Sequence, residues 1–239
     1  MEIQINTSVG EVVRANFKTA RIFEKYGIDF CCSGGQSIAQ ACDRAQLDPR
    51  ELIVEVESTL LQNDREAAWY EKMALDKLCE LIVDRHHSYV RETIPFLQSK
   101  LQKLCEAHGA NHPELFDVQE LFGQTAGNLT MHMQKEELVL FPFVNQLVQL
   151  QKKGAKLEAG VNSVLEPIAQ MEAEHKAEGD RFALIAKFTN NYTVPSDGCN
   201  TYRVTFQTLQ EFEEDLHLHI HLENNLLFKK AAILESELK

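Results

Sequence analysis

Apolar residues recur at steps of three and four along four stretches of the chain, the spacing of single helical faces. The first seam runs Val83, His87, Val90, Ile94, Leu97, Leu101, Leu104. The second runs Leu121, Thr125, Leu129, His132, Glu136, Leu140, Phe143, Leu147. The third is Ile168, Met171, His175, Gly179, Phe182, Ile185, and the fourth Leu209, Phe212, Leu216, His219, Glu223, Leu226. Breakers in EAHGANHPEL, QKKGAKLEAG and TNNYTVPSDGCN (Gly109, Pro113, Gly154, Gly160, Pro195, Gly198) separate these segments, so residues 69–239 are expected to form an antiparallel four-helix bundle. Trp69 and Tyr70 would anchor its start. Residues 1–62 read as a small helical domain. Thr7 or Ser8 with Glu11 offers a capping box for a helix running toward Tyr26, where Gly27 ends it. The loop YGIDFCCSGG then leads into SIAQACDRAQ, Asp48-Pro49 opens a helix through ELIVEVESTLL, and the polar NDREA reads as a linker.

Each seam of the bundle carries a histidine where an apolar residue would serve. In DLHLHIHLENNLLF the histidines alternate like strand positions, but helical periodicity makes His219 the inward one, with Glu223 a turn later on the same face. His217 and His221, about 200° around the helix, would flank the polar side. HMQKEELVLFPF from His132 overlays HIHLENNLLFKK from His219, matching His, then Glu four later, then Leu-Phe. The single histidines upstream keep step, since His87 precedes His132 by 45 residues and His175 precedes His219 by 44. Two copies of one pattern thus gather four imidazoles and two carboxylates around one centre.

Leaving six such groups unsatisfied in a core would cost roughly 1–3 kcal/mol each, against a net domain stability of about 5–15 kcal/mol. A metal centre resolves this. Six protein donors exceed the four of a tetrahedral zinc and suit two octahedral ions, for which a dinuclear non-haem iron pair is the simplest match, with Glu136 and Glu223 bridging. Dimanganese or mixed-metal loading stays open. Two Glu-x-x-His motifs of the ferritin kind, Glu172 with His175 and Glu214 with His217, compete, and His86 rivals His87 as the first ligand.

A net charge of -12 and a pI near 5.2 argue against nucleic acid or an anionic membrane as partner. No segment approaches the roughly 18 apolar residues of a membrane span, and MEIQINTSVGEVV lacks a signal pattern, so a cytoplasmic address is expected. Six scattered cysteines read as free thiols in a reducing compartment. Of these, the adjacent Cys31 and Cys32 would lie near a helix N-terminus that favours thiolate, as redox or ligand thiols, or as a bridge to a second copy, which leaves a homodimer open. The alternative is two small residues packing a turn with Gly34 and Gly35. Cys42, Cys79, Cys105 and Cys199 read as ordinary free cysteines, and His108 and His112 as solvated loop residues.

The spaced His, HxxxE, EAEHKAEG and HxxxEN segments resemble a hemerythrin-like domain, and together with YGIDFCCSGG they resemble the RIC family of di-iron proteins for repair of iron centres. The resemblance covers nearly the whole chain. It implies an all-α fold, a cytoplasmic protein and an oxo-bridged pair of irons held by His87, His132, Glu136, His175, His219 and Glu223. It implies Glu174 as an outer acidic neighbour, and it expects tyrosine where this chain has His86. The implied function is repair of iron-sulfur clusters damaged by oxidants or nitric oxide, by iron donation or by nitric oxide reduction, with damaged iron-sulfur proteins or nitric oxide as partners. An oxygen or nitric oxide sensor or carrier without turnover is the alternative, and a metal-free helical interaction protein is a third reading.

Overall fold

The computed structural model describes residues 3–60, 65–158 and 163–239, and the chain is all-α over them. Asn63 and Asp64 of the expected linker, and Gly160 of the expected loop, lie outside the described residues.

Ser8 makes the first cap. Its hydroxyl accepts from Glu11 N at 3.3 Å, and Glu11 Oε2 accepts from Ser8 N at 3.1 Å. Helix α1 (Val9–Ala15) does not run on toward Tyr26, however. Asn16 is extended and buried, bonds Thr59 O through Nδ2 at 3.0 Å, and caps a 3₁₀ turn, Phe17–Thr19, before α2 (Ala20–Lys25). An Asn that can hydrogen-bond backbone competes with helix in this way. Gly27 follows in the left-handed region, φ 64°, and ends α2 as expected. A second capping box, Ser37 with Gln40, opens α3 (Ile38–Ala45), and Pro49 opens α4 (Pro49–Leu60). In α5 (Arg65–Lys72) Tyr70 is the buried aromatic, while Trp69 is exposed.

The four long helical segments follow. The first joins α6 (Leu75–Leu81), a π-helical turn (Ile82–His87) and α7 (Ser88–His108). The second joins α8 (Glu114–Lys135), a π-helical turn (Glu136–Leu140) and α9 (Phe141–Lys153). The third is α10 (Leu165–Phe188). The fourth joins α11 (Asn200–His221), a π-helical turn (Leu222–Leu227) and α12 (Phe228–Leu238). Among the described residues no helix is long and apolar enough to cross a membrane.

The chain divides into two compact units. One comprises residues 80–143 and 166–219, with α7, α8, α10 and most of α11. Its seams are close to those expected, with local slips. Ile82 and Phe122 are buried in place of Val83 and Leu121, and Glu178 in place of Gly179. The other unit comprises residues 1–79, 144–165 and 220–239. There Phe17 and Phe30 pack on His221, at 5.9 and 6.1 Å between ring centroids. His221 is thus buried rather than on a polar face, because Phe17 of the 3₁₀ turn and Phe30 of the double-cysteine loop supply apolar cover on that side. Burial lowers its pKa to about 3, so it is neutral.

Candidate metal centre

The wide turn Ile82–His87 brings two successive histidines, His86 and His87, into the interior, both fully buried. His87 Nδ1 lies 2.6 Å from Glu137 Oε1, an oxygen that Arg91 also binds. His86 Nδ1 lies 2.9 Å from Asp215 Oδ1. His132 Nδ1 lies 3.0 Å from Glu174 Oε2, and Glu174 is held in turn by Lys135 and by Gln170 Nε2 at 2.9 Å. Burial pushes the Glu174 pKa up, but the bonds from Lys135, His132 and Gln170 outweigh it and bring the group down to about 2. Glu137 follows the same balance, raised by burial and lowered further by His87 and Arg91.

An ionised carboxylate can only accept, so each of these Nδ1 atoms carries the proton and each Nε2 presents a lone pair. Those of His87 and His132 face Glu136 in the core, whose Oε2 lies 3.3 Å from His87 Nε2 and 3.4 Å from His132 Nε2. His175 Nε2 lies 3.0 Å from His132 Nε2, placed to donate to it when metal-free. Neither oxygen of the fully buried Glu136 has a hydrogen-bond partner. Lone pairs facing lone pairs in a low-dielectric interior repel unless a cation lies between them. Donors at right angles around an ion with bonds of about 2.1 Å would be roughly 3.0 Å apart, the spacing of the two Nε2 atoms.

Two buried groups of donors result, each with its atoms within 4.8 Å of one another: His87, Glu136, His219 and Glu223, and His132, Glu136, His175 and Glu223. Glu136 and Glu223 are common to both. His86 belongs to neither group, although its ring stacks on His219 at 5.3 Å. The competing ferritin-type motifs are not brought together. Glu172 and Glu214 are exposed, and His217 is half-buried beside Glu213. Glu174 lies beside His132, and a cavity of about 200 Å³ lined by Asn128, His132, Lys135, Glu174, His175 and Glu178 adjoins this side. The periodicity gave no hint of Glu178, which is buried against Asn128 and Arg181 a turn after His175.

Cys31 and Cys32 lie apart from these groups in sequence and form their own. Asp29 organises the loop: Oδ1 accepts from Cys31 N at 3.0 Å and Cys32 N at 2.9 Å, and Oδ2 from Ser33 N at 3.0 Å. The two sulfurs are 3.6 Å apart, and with Asp29 they form a third set of donors. The expected help from a helix dipole is not realised at Cys31. Ser37 caps α3, and the Cys32 thiol together with burial holds Cys31 well above an ordinary thiol. Nor are His108 and His112 simply solvated. His108 Nε2 is 3.3 Å from Cys199 Sγ, and His112 is held between Glu114 and Asp197, both at 3.0 Å. Cys199 is likewise no ordinary thiol: the Tyr202 amide, then His108, lower it to about 7.

Residues 5–60 match the ScdA_N domain, a domain of unknown function, and residues 81–231 match the hemerythrin HHE cation binding domain. The iron-sulfur cluster repair protein YtfE of Yersinia pestis (strain Pestoides F) is 32% identical over 226 residues, 95% of this chain and 96% of the relative. YtfE of Yersinia pseudotuberculosis serotype O:3 (strain YPIII) is similar to the same extent, 32% over 95% of this chain and 96% of its own. With buried His and Glu donors where the cation-binding domain is matched, the chain belongs to the hemerythrin HHE family, within the group of the YtfE iron-sulfur cluster repair proteins.

Proposed function

We propose that this chain holds two non-haem iron ions joined by an oxo bridge and uses them to restore damaged iron-sulfur clusters. His87 and His219 would hold one ion, His132 and His175 the other, with Glu136 and Glu223 spanning both. The carrying observation is the Glu136 carboxylate, fully buried without a hydrogen bond and flanked by imidazole lone pairs. Imidazole and carboxylate together suit iron. When bound, such a pair supplies redox equivalents and exchangeable coordination positions.

The chain's own residues set the terms of that chemistry. Glu137 and Glu174 fix the tautomer and aim of His87 and His132, as outer carboxylates do at metal sites. The cavity beside His132 and His175 gives a small molecule or a departing ion a route on that side. Lys135, paired with Glu174 there, balances charge at the opening. Residues 1–62 serve in this reading as a domain bearing redox or ligand thiols, and residues 69–239 as the bundle domain. The protein works in the cytoplasm on damaged iron-sulfur proteins or on nitric oxide.

The test is anaerobic purification followed by metal analysis and an electronic spectrum. Two irons per chain and the absorption of a bridged diferric pair are expected; His132→Ala or Glu223→Ala should lose both, and His217→Ala should keep them. A folded chain with far less iron than this refutes the proposal. Iron transfer to an apo acceptor on reduction separates donation from nitric oxide reduction, which would yield nitrous oxide.

A further inference from the structure

Asn224 and Asn225 directly follow Glu223 inside the turn Leu222–Leu227, and both are buried. Asn224 Nδ2 donates to Cys31 O at 3.2 Å. Asn225 Nδ2 donates to Phe30 O at 3.5 Å and lies 3.1 Å from His221 Nδ1. The other end of the Asn225 amide occupies space that two glycines leave open. A Cβ on Gly10 would meet Asn225 Oδ1 at 2.6 Å, and one on Gly34 would meet it at 3.1 Å. Gly10 N donates to Gly34 O at 2.7 Å, so the amide abuts the point where the start of α1 is joined to the double-cysteine loop.

Burial alone does not call for asparagine here. Asparagine is a poor helix former, and a buried amide is costly unless its hydrogen bonds are made. A leucine would fill a comparable volume but could not bond two successive carbonyls of one particular loop. What the two amides add is a choice of partner: the backbone at Phe30 and Cys31, the latter one of the two adjacent thiol residues.

We propose that Asn225, assisted by Asn224, is a positioning residue that ties the Cys31–Cys32 loop to the turn presenting Glu223, so that metal loading and thiol reactivity are coupled. This rests on the reading of Glu223 as a metal ligand. A metal that fixes Glu223 fixes the next two residues of the turn, and with them the carbonyls of Phe30 and Cys31. Coupling of this kind is reciprocal: modification of the thiols shifts metal affinity by the factor by which metal shifts thiol modification.

The experiment measures alkylation rates of Cys31 and Cys32 with iodoacetamide, resolved by peptide mass spectrometry, in full-length protein with and without iron. In the wild type, iron changes the rate at the pair by at least about fivefold, the lower end of ordinary allosteric coupling. Asn225→Leu retains the iron content and the spectrum but removes the rate difference. Should Asn225→Leu fail to fold, Asn224→Ala, which deletes the bond to Cys31 O, decides with a reduced difference. A wild type that takes up two irons yet alkylates identically in both states overturns the coupling and leaves the metal centre standing. So does a full rate difference in a folded Asn225→Leu chain, or in Asn224→Ala where that variant decides. A wild type that binds no iron overturns the ligand reading first, and the coupling with it.

Discussion

Glu136 offers a direct test of the idea that the bundle interior is built for metal at the expense of the metal-free fold. Replace it with methionine, an apolar side chain of similar length that adapts to irregular cavities. Both Glu136 oxygens are buried without hydrogen bonds. Each such group costs roughly 1–3 kcal/mol, so removing both should return about 2–6 kcal/mol to the metal-free chain. The Nε2 atoms of His87 and His132, at 3.3 and 3.4 Å from Oε2, present lone pairs and so give it no donor in the metal-free wild type. Imperfect packing of methionine takes back part of the gain, leaving about 2–3 kcal/mol. For a chain of this length that is a rise of roughly 5–10 °C in the melting temperature. The assay is thermal denaturation of both proteins, metal-free and after anaerobic iron loading. Metal-free Glu136→Met should melt above metal-free wild type, and iron should raise only the wild type, since a ligand that binds the native state stabilises it. A metal-free variant melting at or below the wild type, or one still taking up two irons, would refute the reasoning.

His87→Ala should abolish iron uptake while His86→Phe preserves it, because only His87 contributes a donor to the clusters; metal analysis of the two variants decides. Glu174→Gln, which removes the charge that anchors His132 Nδ1, should weaken iron retention by about 10–100-fold in competition with a chelator, the usual range for loss of an outer carboxylate. Cys199 should be the fast thiol near neutrality. Its pKa is lowered to about 7 by the Tyr202 amide and His108, so its thiolate, and with it the iodoacetamide rate, should rise as pH passes through 7. His108→Ala should move that midpoint upward, while Cys42 and Cys105, raised by burial, lag behind. A Cys199 midpoint no lower than that of Cys42 would contradict this.

The six inward donors were legible because their spacing contradicts chemistry: polar groups on an apolar face demand a reason. His87, His132, Glu136, His175, His219 and Glu223 are all buried and fall into two clusters. Their outer partners were not legible. Glu137 and Asp215 look like solvated positions of ordinary helices, and only the packing of one helix on another brings them to His87 and His86. Asp29 was missed for a different reason. Its role is to bind the amides of Cys31, Cys32 and Ser33, a loop geometry with no period.

The slips of register at Val83 and Phe143 share one physical source. A seam read at 3.6 residues per turn stays in phase only while the helix remains α. In α10, with no π-turn, Ile168, Met171, His175, Phe182 and Ile185 are all buried as the period requires. In the second segment the turn Glu136–Leu140 intervenes, and Phe141 and Val144 take the interior in place of Phe143, which is half-buried. The turn at Ile82–His87 does the same, burying Ile82, His86 and His87 and leaving Val83 half-buried. The three π-turns among the described residues contain His87, Glu136 and Glu223 in turn. A wider turn loosens the strict alternation of faces and lets a helix turn a polar donor inward while apolar residues on either side still reach a core. In the last segment every residue from Leu218 to Phe228 is buried, so there is no outward face for a period to mark. That is why the period singled out His219 yet misplaced His221: one joins His87, Glu136 and Glu223, and the other packs against Phe17 and Phe30.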